Sequence, residues 1–328
     1  MNLITMSTII SISSNSWFGM WLGLEINLMS IIPLMSNIKN SYSTESSIKY
    51  FIIQALSSAI IMISMIFLVN ISNSPVTNLN NSINLIFNSA LMTKMGSAPF
   101  HFWFPEIMEG LNWLNCFIML TWQKITPMIL MNYSINSMFI FTVIILSMLI
   151  SGILGINQNS LRKILAYSSI NHIGWMLASM MFFESIWLIY FLIYFMILFN
   201  LITIFNLYKI FFVTQLMFFM KENLKLNYFF IMNFLSLGGL PPFIGFLPKW
   251  LTIQMMIINN NFLLPFFMII LTLLTLFYYI RTMMSSMSLL LLENNSIKIK
   301  PYIYKWIPVS NFINLLSLIF YSMLINFI

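Results

Sequence analysis

Three lysines and one glutamate stand where this chain can least accommodate charge. Lys94, Lys124, Lys249 and Glu25 each lie well inside a long apolar stretch of a 328-residue chain that is only 6% charged. A charge at the centre of a bilayer costs about 2.5–3.5 kcal/mol on the most lenient scale. Four such groups are tolerable only if they face a protein interior or water, and pair or give up their charge. Lysine suits that demand, because a desolvated amine exchanges its proton readily whereas a guanidinium stays charged. None of the buried basic residues is an arginine. The pattern points to movement of protons or ions across a membrane.

The four groups differ in setting. Lys94 falls roughly twelve residues into its stretch, about 18 Å along at 1.5 Å per residue, near mid-depth. Lys124, in Thr121-Trp122-Gln123-Lys124-Ile125-Thr126-Pro127, stands nearer one end of its segment. There an interface anchor with its stem in lipid is the competing reading. Lys249 follows Pro248 in the restarted half of a long segment, and Glu25 lies midway along the second segment, in Gly23-Leu24-Glu25-Ile26-Asn27. Glu25 reads either as a neutral or paired structural acid, or as the partner of Lys94 in an ion pair that responds to proton position. Two histidines add weaker signals. His101 lies inside a Gly/Pro interruption, where its imidazole serves as a proton relay or hydrogen-bonds exposed backbone. His172, in Asn171-His172-Ile173-Gly174-Trp175, is a packing histidine or part of a proton path.

The elements that must hold these groups are apolar helices. The chain is 60% hydrophobic with a mean hydropathy of +0.93, against about 45–50% apolar in soluble domains. Eleven apolar segments are predicted, at about 1–19, 20–36, 48–70, 82–104, 111–132, 138–156, 163–182, 185–209, 227–258, 262–288 and 304–327. Alternating the connections between two sides places Lys39, Lys49, Arg162, Lys163, Lys209, Lys221, Lys225, Arg281, Lys298, Lys300 and Lys305 on one side. The loops at 70–81, 132–137, 182–185 and 259–261 on the other side carry no Lys or Arg. This is the positive-inside distribution. It puts the N-terminus on the basic side and the C-terminus opposite. The net charge of +7 is therefore a topology signal and not a nucleic-acid patch.

An internal repeat accompanies that topology. Gly96-x-x-Pro99-Phe100-x4-Pro105 recurs as Gly239-x-x-Pro242-Phe243-x4-Pro248, and both copies interrupt a long apolar segment, the fourth and the ninth. The copies are five segments apart, an odd offset, so they run in opposite directions through the membrane. Inverted repeats with broken helices are a transporter architecture, and broken backbone is viable in a membrane only where protein or a wet cavity satisfies it.

Other chemistry is poorly supported. The single cysteine, Cys116, cannot ligate an iron–sulfur cluster, which takes about four thiolates, nor form an internal disulfide. No phosphate loop, dinucleotide fingerprint, Ser–His–Asp arrangement or metal-ligand spacing is present. The first residues lack the basic or Arg-rich pattern of a signal or transit peptide. Residue usage dominated by Ile, Met, Phe, Leu, Asn and Ser, with no Asp, reads as A+T-rich coding, which cautions against giving weight to every Asn and Ser.

Five blocks then carry a family resemblance. They are Asn15-Ser16-Trp17-Phe18-Gly19 with Gly23-Leu24-Glu25-Ile26-Asn27; Lys94 through Pro105; Trp122 through Pro127; Ser168 through Trp175; and Leu237 through Trp250. In this order they resemble the antiporter-like membrane subunits of mitochondrial NADH–ubiquinone oxidoreductase (respiratory complex I), over about residues 15–285. The resemblance implies an all-α polytopic protein of about eleven transmembrane helices. They would form two inverted five-helix repeats, about 1–132 and 138–288, with discontinuous fourth and ninth helices, plus a final helix at about 304–327, in one transmembrane domain. It implies a proton path through Glu25 with Lys94, Lys124 and Lys249, and a multi-pass position in the mitochondrial inner membrane with basic loops in the matrix. The C-terminus would lie in the intermembrane space. The partners implied are other membrane-arm subunits and membrane lipids. No cofactor is expected on this chain; NADH, FMN, iron–sulfur clusters and ubiquinone would belong to other subunits. The family's longer bacterial form has fourteen helices, and this chain is expected to lack the first three. Alternatives left open are a stand-alone Mrp-type cation/proton antiporter and a purely structural subunit.

Overall fold

A bilayer has no water to satisfy free backbone groups, so a chain this apolar must close its hydrogen bonds within helices or a barrel. The computed structural model, which describes residues 1–37, 40–71, 77–216, 224–241 and 243–287, takes the helical solution. Among the described residues the strand-like pairing is a single bridge between Ser160 and Phe212. The predicted segment at 304–327, with Lys298, Lys300 and Lys305, lies outside the described residues, as do Lys39 and Lys221; the side chain of Lys225 is also outside them.

By contacts the chain divides into two compact units, Met1–Ser147 and Met148–Ile328. The first contains α1 (Asn2–Ser13), α2 (Trp17–Met35), α3 (Ser41–Ile71), α4 (Thr77–Met95), α5 (Trp103–Gly110), α6 (Trp113–Leu120) and α7 (Trp122–Asn132). The long α3 packs on α2, α4 and α5, while α7 packs on α1, α4 and α6. The division falls within α8 (Ser137–Ile156). The second unit continues with α9 (Leu161–Met180), α10 (Glu184–Tyr208), α11 (Leu224–Gly238), α12 (Phe246–Ile258) and α13 (Leu263–Met287). Its centre is α9, which touches α10, α12 and α13 and buries every residue except Arg162 and Lys163.

Five of these helices, α2, α3, α8, α10 and α13, are each long and apolar enough to cross a bilayer. Their outer faces carry exposed Ile63, Phe67, Leu192, Phe266 and Leu273. Serine and threonine are common on the buried faces. Ser7, Ser11, Ser57, Ser64, Ser147 and Thr275 each donate to the carbonyl three residues back, so their hydroxyls enter an apolar setting already paired.

The two Gly/Pro interruptions are built alike. Gly96 and Gly239 both take positive φ, +71° and +75°, a conformation glycine reaches without a Cβ penalty. In each case the following N–H reaches back five residues, Ser97 to the Met92 carbonyl at 3.2 Å and Leu240 to the Leu235 carbonyl at 3.3 Å. This is the Schellman closure of a helix C-terminus. It ends α4 and α11 inside the apolar slab while satisfying their last carbonyls. Trp103 at the start of α5 ties back across the first interruption by donating Nε1–H to the Thr93 carbonyl at 3.1 Å.

The fifth predicted segment differs from expectation. It is two helices and not one, α6 and α7, divided at Thr121 with φ −118° and ψ −72°. The Thr121 hydroxyl donates to the Phe117 carbonyl at 2.7 Å, and Pro127 in the following turns has no N–H to contribute.

Candidate functional site

The Schellman turn that ends α4 leaves Lys94 in its last turn, and the division at Thr121 starts α7 just before Lys124. Both lysines line one small cavity in the first unit, about 20 Å³ in volume. That is room for about one water molecule, which needs roughly 10–15 Å³ on this measure and two or more polar partners. The walls supply them, since Asn27, Tyr50, Gln54, Gln123 and Thr126 also line the space. Lys94 is 7% exposed and Lys124 1%, so both side chains are buried. Phe104, brought in by the restarted helix α5, places its ring 5.5 Å from the Lys124 Nζ. A cation over an aromatic face gains about 0.5–2 kcal/mol.

An amide pair closes one side. Asn27 Nδ2 donates to Gln123 Oε1 at 2.9 Å, and Gln123 Nε2 donates back to Asn27 Oδ1 at 3.2 Å. Gln54 donates to the Lys94 carbonyl at 3.3 Å. These polar contacts connect α2 to α7 and α3 to α4 around the two amines.

Glu25 stands beside this cavity and not in it. Leu24, Asn27 and Leu28 are the α2 residues on the wall, and Glu25 is turned about 100° around the helix from Leu24. Its side chain is half-buried. The carboxylate is near enough to act on the Lys94 amine electrostatically, but among the described residues the ion pairs within 4 Å are those of Lys49 with Glu45 and Glu106. The interaction of Glu25 with Lys94 is therefore one through space. On the basic side, Lys49 Nζ lies 3.0 Å from Glu45 and 3.0 Å from Glu106, joining α3 to α5.

In the second unit the interruption itself forms the lysine site. Lys249 lies in the first turn of α12 and is 6% exposed. Its Nζ donates to the Gly238 carbonyl at 2.9 Å and the Leu237 carbonyl at 3.3 Å. Those are terminal carbonyls of α11, which carry the negative end of a helix dipole. Trp175 of α9 presents its ring 5.7 Å from the same nitrogen. A Cβ on Gly239 would stand 2.7 Å from Lys249 Cδ and 2.8 Å from Nζ, so the glycine that permits the turn also makes space for the amine.

The histidines separate. His101 is buried in the first interruption with Nδ1 3.3 Å from the Pro99 carbonyl. His172 is buried on α9 with Nδ1 2.8 Å from the Tyr190 hydroxyl. Lys94 and Lys124 are thus brought to one cavity, Glu25 to its flank, and Lys249 and His172 into the second unit. The amide pair was not singled out from sequence, although both members sit inside the motif blocks, next to Ile26 and Lys124. Asn27 and Gln123 are 96 residues apart, and no local pattern pairs them.

Comparison with known proteins places the chain in a family. The family described as NADH:quinone oxidoreductase/Mrp antiporter, TM, matches residues 14–275. NADH-ubiquinone oxidoreductase chain 2 of Anopheles gambiae is 49% identical over 253 residues, 77% of this chain and 74% of that protein. The chain belongs to the NADH-ubiquinone oxidoreductase chain 2 family. Its fold matches a chain of respiratory complex I from Thermus thermophilus with a TM-score of 0.84 at 19% identity, covering 96% of this chain and 77% of that one. It also matches a chain of the Mrp complex from Dietzia sp., with a TM-score of 0.75 at 16% identity, covering 90% of this chain and 60% of that one. At those identities the likeness is one of fold. Every residue of both lysine sites lies within residues 14–275, the part of the chain that the NADH:quinone oxidoreductase/Mrp antiporter family matches.

Proposed function

We propose that this chain is a proton-translocating subunit of the membrane arm of NADH–ubiquinone oxidoreductase in the mitochondrial inner membrane. Membership of the chain 2 family supports the complex. The observation that carries the proton role is the shared polar cavity of Lys94 and Lys124, two desolvated amines with space for a bridging water between them.

The chemistry follows from charge. Quinone reduction elsewhere in the complex perturbs Glu25, which acts on Lys94 through space. A proton leaving or reaching Lys94 changes the field at Lys124. Like charges lining one small cavity repel at the reduced dielectric of a protein interior, which biases the proton equilibrium of the second amine. Lys124 in turn biases Lys249, whose amine is held by the Leu237 and Gly238 carbonyls. His101 and His172 serve as side relays. No redox cofactor belongs to this chain in this reading; NADH, FMN, iron–sulfur clusters and ubiquinone act on other subunits. The finer architecture goes with it: eleven spans arranged as two inverted five-helix repeats, matrix-side basic loops, and lipid around the exposed apolar faces. The stand-alone antiporter reading rests on a family description shared with the oxidoreductase and on likeness of fold, whereas the 49% identical relative is a chain of the oxidoreductase.

The test is Lys94→Met in the assembled complex in inner-membrane vesicles. NADH-driven turnover and proton uptake are expected to fall together while NADH oxidation by an artificial acceptor is retained. Unchanged rate and unchanged proton stoichiometry would overturn the assignment.

A further inference from the structure

Four buried tyrosines of the second unit have no place in the lysine path. Tyr190 and Tyr194 on α10, and Tyr278 and Tyr279 on α13, are each at most 2% exposed. They gather against the polar stretch of α9. The His172 Nδ1 is 2.8 Å from the Tyr190 hydroxyl, and its ring is 4.8 Å from that of Tyr194. Tyr194 faces Ser169, and Tyr279 faces Ser168 and Tyr278. The rings of Tyr278 and Tyr279 are 4.6 Å apart. At the far end, a Cβ on Gly238 would lie 3.7 Å from Cδ2 of Tyr279. The carbonyl of that same glycine accepts the Lys249 amine at 2.9 Å. The aromatic groups therefore run from His172 to the cradle of Lys249.

Packing explains the rings but not the hydroxyls. Phenylalanine fills nearly the same volume with no polar atom to desolvate, and this chain holds 32 Phe against 13 Tyr. Among the described residues the buried hydroxyls of Tyr278 and Tyr279 have no partner within 3.5 Å, although each lies toward the other and that of Tyr279 toward Ser168. A buried polar atom left unpaired is destabilising, and native interiors avoid it. Such hydroxyls are suited to exchanging hydrogen bonds with water entering the same polar region.

We propose that Tyr190, Tyr194, Tyr278 and Tyr279 relay protons between His172 and Lys249, with intervening water molecules completing the file. Each hop is concerted. A tyrosine oxygen accepts a proton from one neighbour on a lone pair while its own O–H bond breaks toward the next. The hydroxyl is regenerated, no phenolate persists and no electron moves. At one end His172 exchanges its ring proton with Tyr190; at the other the Lys249 amine takes or releases one. This relay deepens the proton-translocating function proposed above and rests on it.

The test uses Tyr190→Phe and Tyr279→Phe in the assembled complex, measured beside Lys249→Met and the exposed Tyr228→Phe. Removing a group that passes protons is expected to lower NADH-driven proton uptake about tenfold, water bypassing part of the 10²–10⁴-fold effect of a lost acid–base group. The solvent-deuterium isotope effect on the residual rate is expected to rise, which loss of packing would not cause. Tyr228→Phe is expected to keep the full rate. Full uptake and an unchanged isotope effect in both buried-tyrosine variants, with uptake lost in Lys249→Met, would overturn the relay alone. Retention of uptake in Lys249→Met as well would overturn the relay together with the lysine path. Failure of both tyrosine variants to assemble would also overturn it, by making the hydroxyls structural.

Discussion

The amine of Lys249 is held by two main-chain carbonyls, so its position depends on backbone geometry one residue beyond them. Gly239 provides that geometry, and its substitution tests the site without touching the lysine. Gly239→Ala introduces a Cβ 2.7 Å from Lys249 Cδ at a φ of +75°. The left-handed conformation alone costs an L-residue about 1–2 kcal/mol, a modest part of a large assembly's stability. The displaced amine is the greater consequence. Proton uptake is expected to fall severalfold while the thermal midpoint of the complex shifts by a few degrees at most; a large midpoint shift with normal uptake would instead make Gly239 purely a fold residue. Lys249→Arg separates charge from exchange at the same place. A guanidinium keeps the positive charge and the hydrogen-bond donors but does not give up its proton at physiological pH. The arginine variant is expected to assemble normally and to stop proton uptake. Uptake at the parental rate would mean that Lys249 works as a fixed charge only.

At the scale of the helix, the site exists because helices stop inside the apolar slab. Glycine and proline announce two of those stops in the sequence. Gly96 and Gly239 have the spacing to proline that marks them, and the structure closes both with the same five-residue hydrogen bond. The third discontinuity, at Thr121, has no glycine, so the sequence predicts continuous helix there; its local sign is Pro127, which sits well inside α7. The buried lysines and Glu25 were legible because charge is rare here, and each is visible singly. Their environment was less so. Contacts between residues 96 apart, such as Asn27 with Gln123, leave no periodic trace, and abundant Asn in an A+T-rich sequence hides the useful ones. That amide pair ties the Glu25-bearing helix to the Lys124-bearing one. Asn27→Leu strands the Gln123 amide at a partly buried position and is expected to cost about 1–3 kcal/mol, read as a lower thermal midpoint of the assembled complex. The exchanged double variant, Asn27→Gln with Gln123→Asn, restores a reciprocal amide pair and is expected to recover part of that loss. Additive losses in the double variant would show that the two side chains are not coupled.

For the molecule as a whole, polarity is arranged inside out, and this decides what the chain is exposed to. Many aliphatic and aromatic side chains face outward, whereas Lys94, Lys124, Lys249, His101, His172 and Asn27 are buried. The outer surface is suited to acyl chains and to apolar neighbours, and the polar interior to water and protons. The basic loops predict which end of the polar interior faces which compartment, and α8 offers a test contained in one element. It runs from Ser137 to Ile156, about 30 Å at 1.5 Å per residue, which equals the hydrocarbon thickness of a bilayer. The loop before it carries no basic residue; the loop after it leads to Arg162 and Lys163. Ser137 and Asn157 at its two ends are both exposed. The single native thiol, Cys116, is fully buried, so a cysteine added at either end can be labelled against a low background. An impermeant maleimide is expected to label Asn157→Cys in inverted vesicles with the matrix face outward, and Ser137→Cys in mitoplasts with the intermembrane face outward. Labelling with the sides exchanged would reverse the orientation that the positive charges predict. Labelling of both positions from one side would mean that α8 does not cross the membrane. The alternation of basic and neutral loops would then be a coincidence of composition.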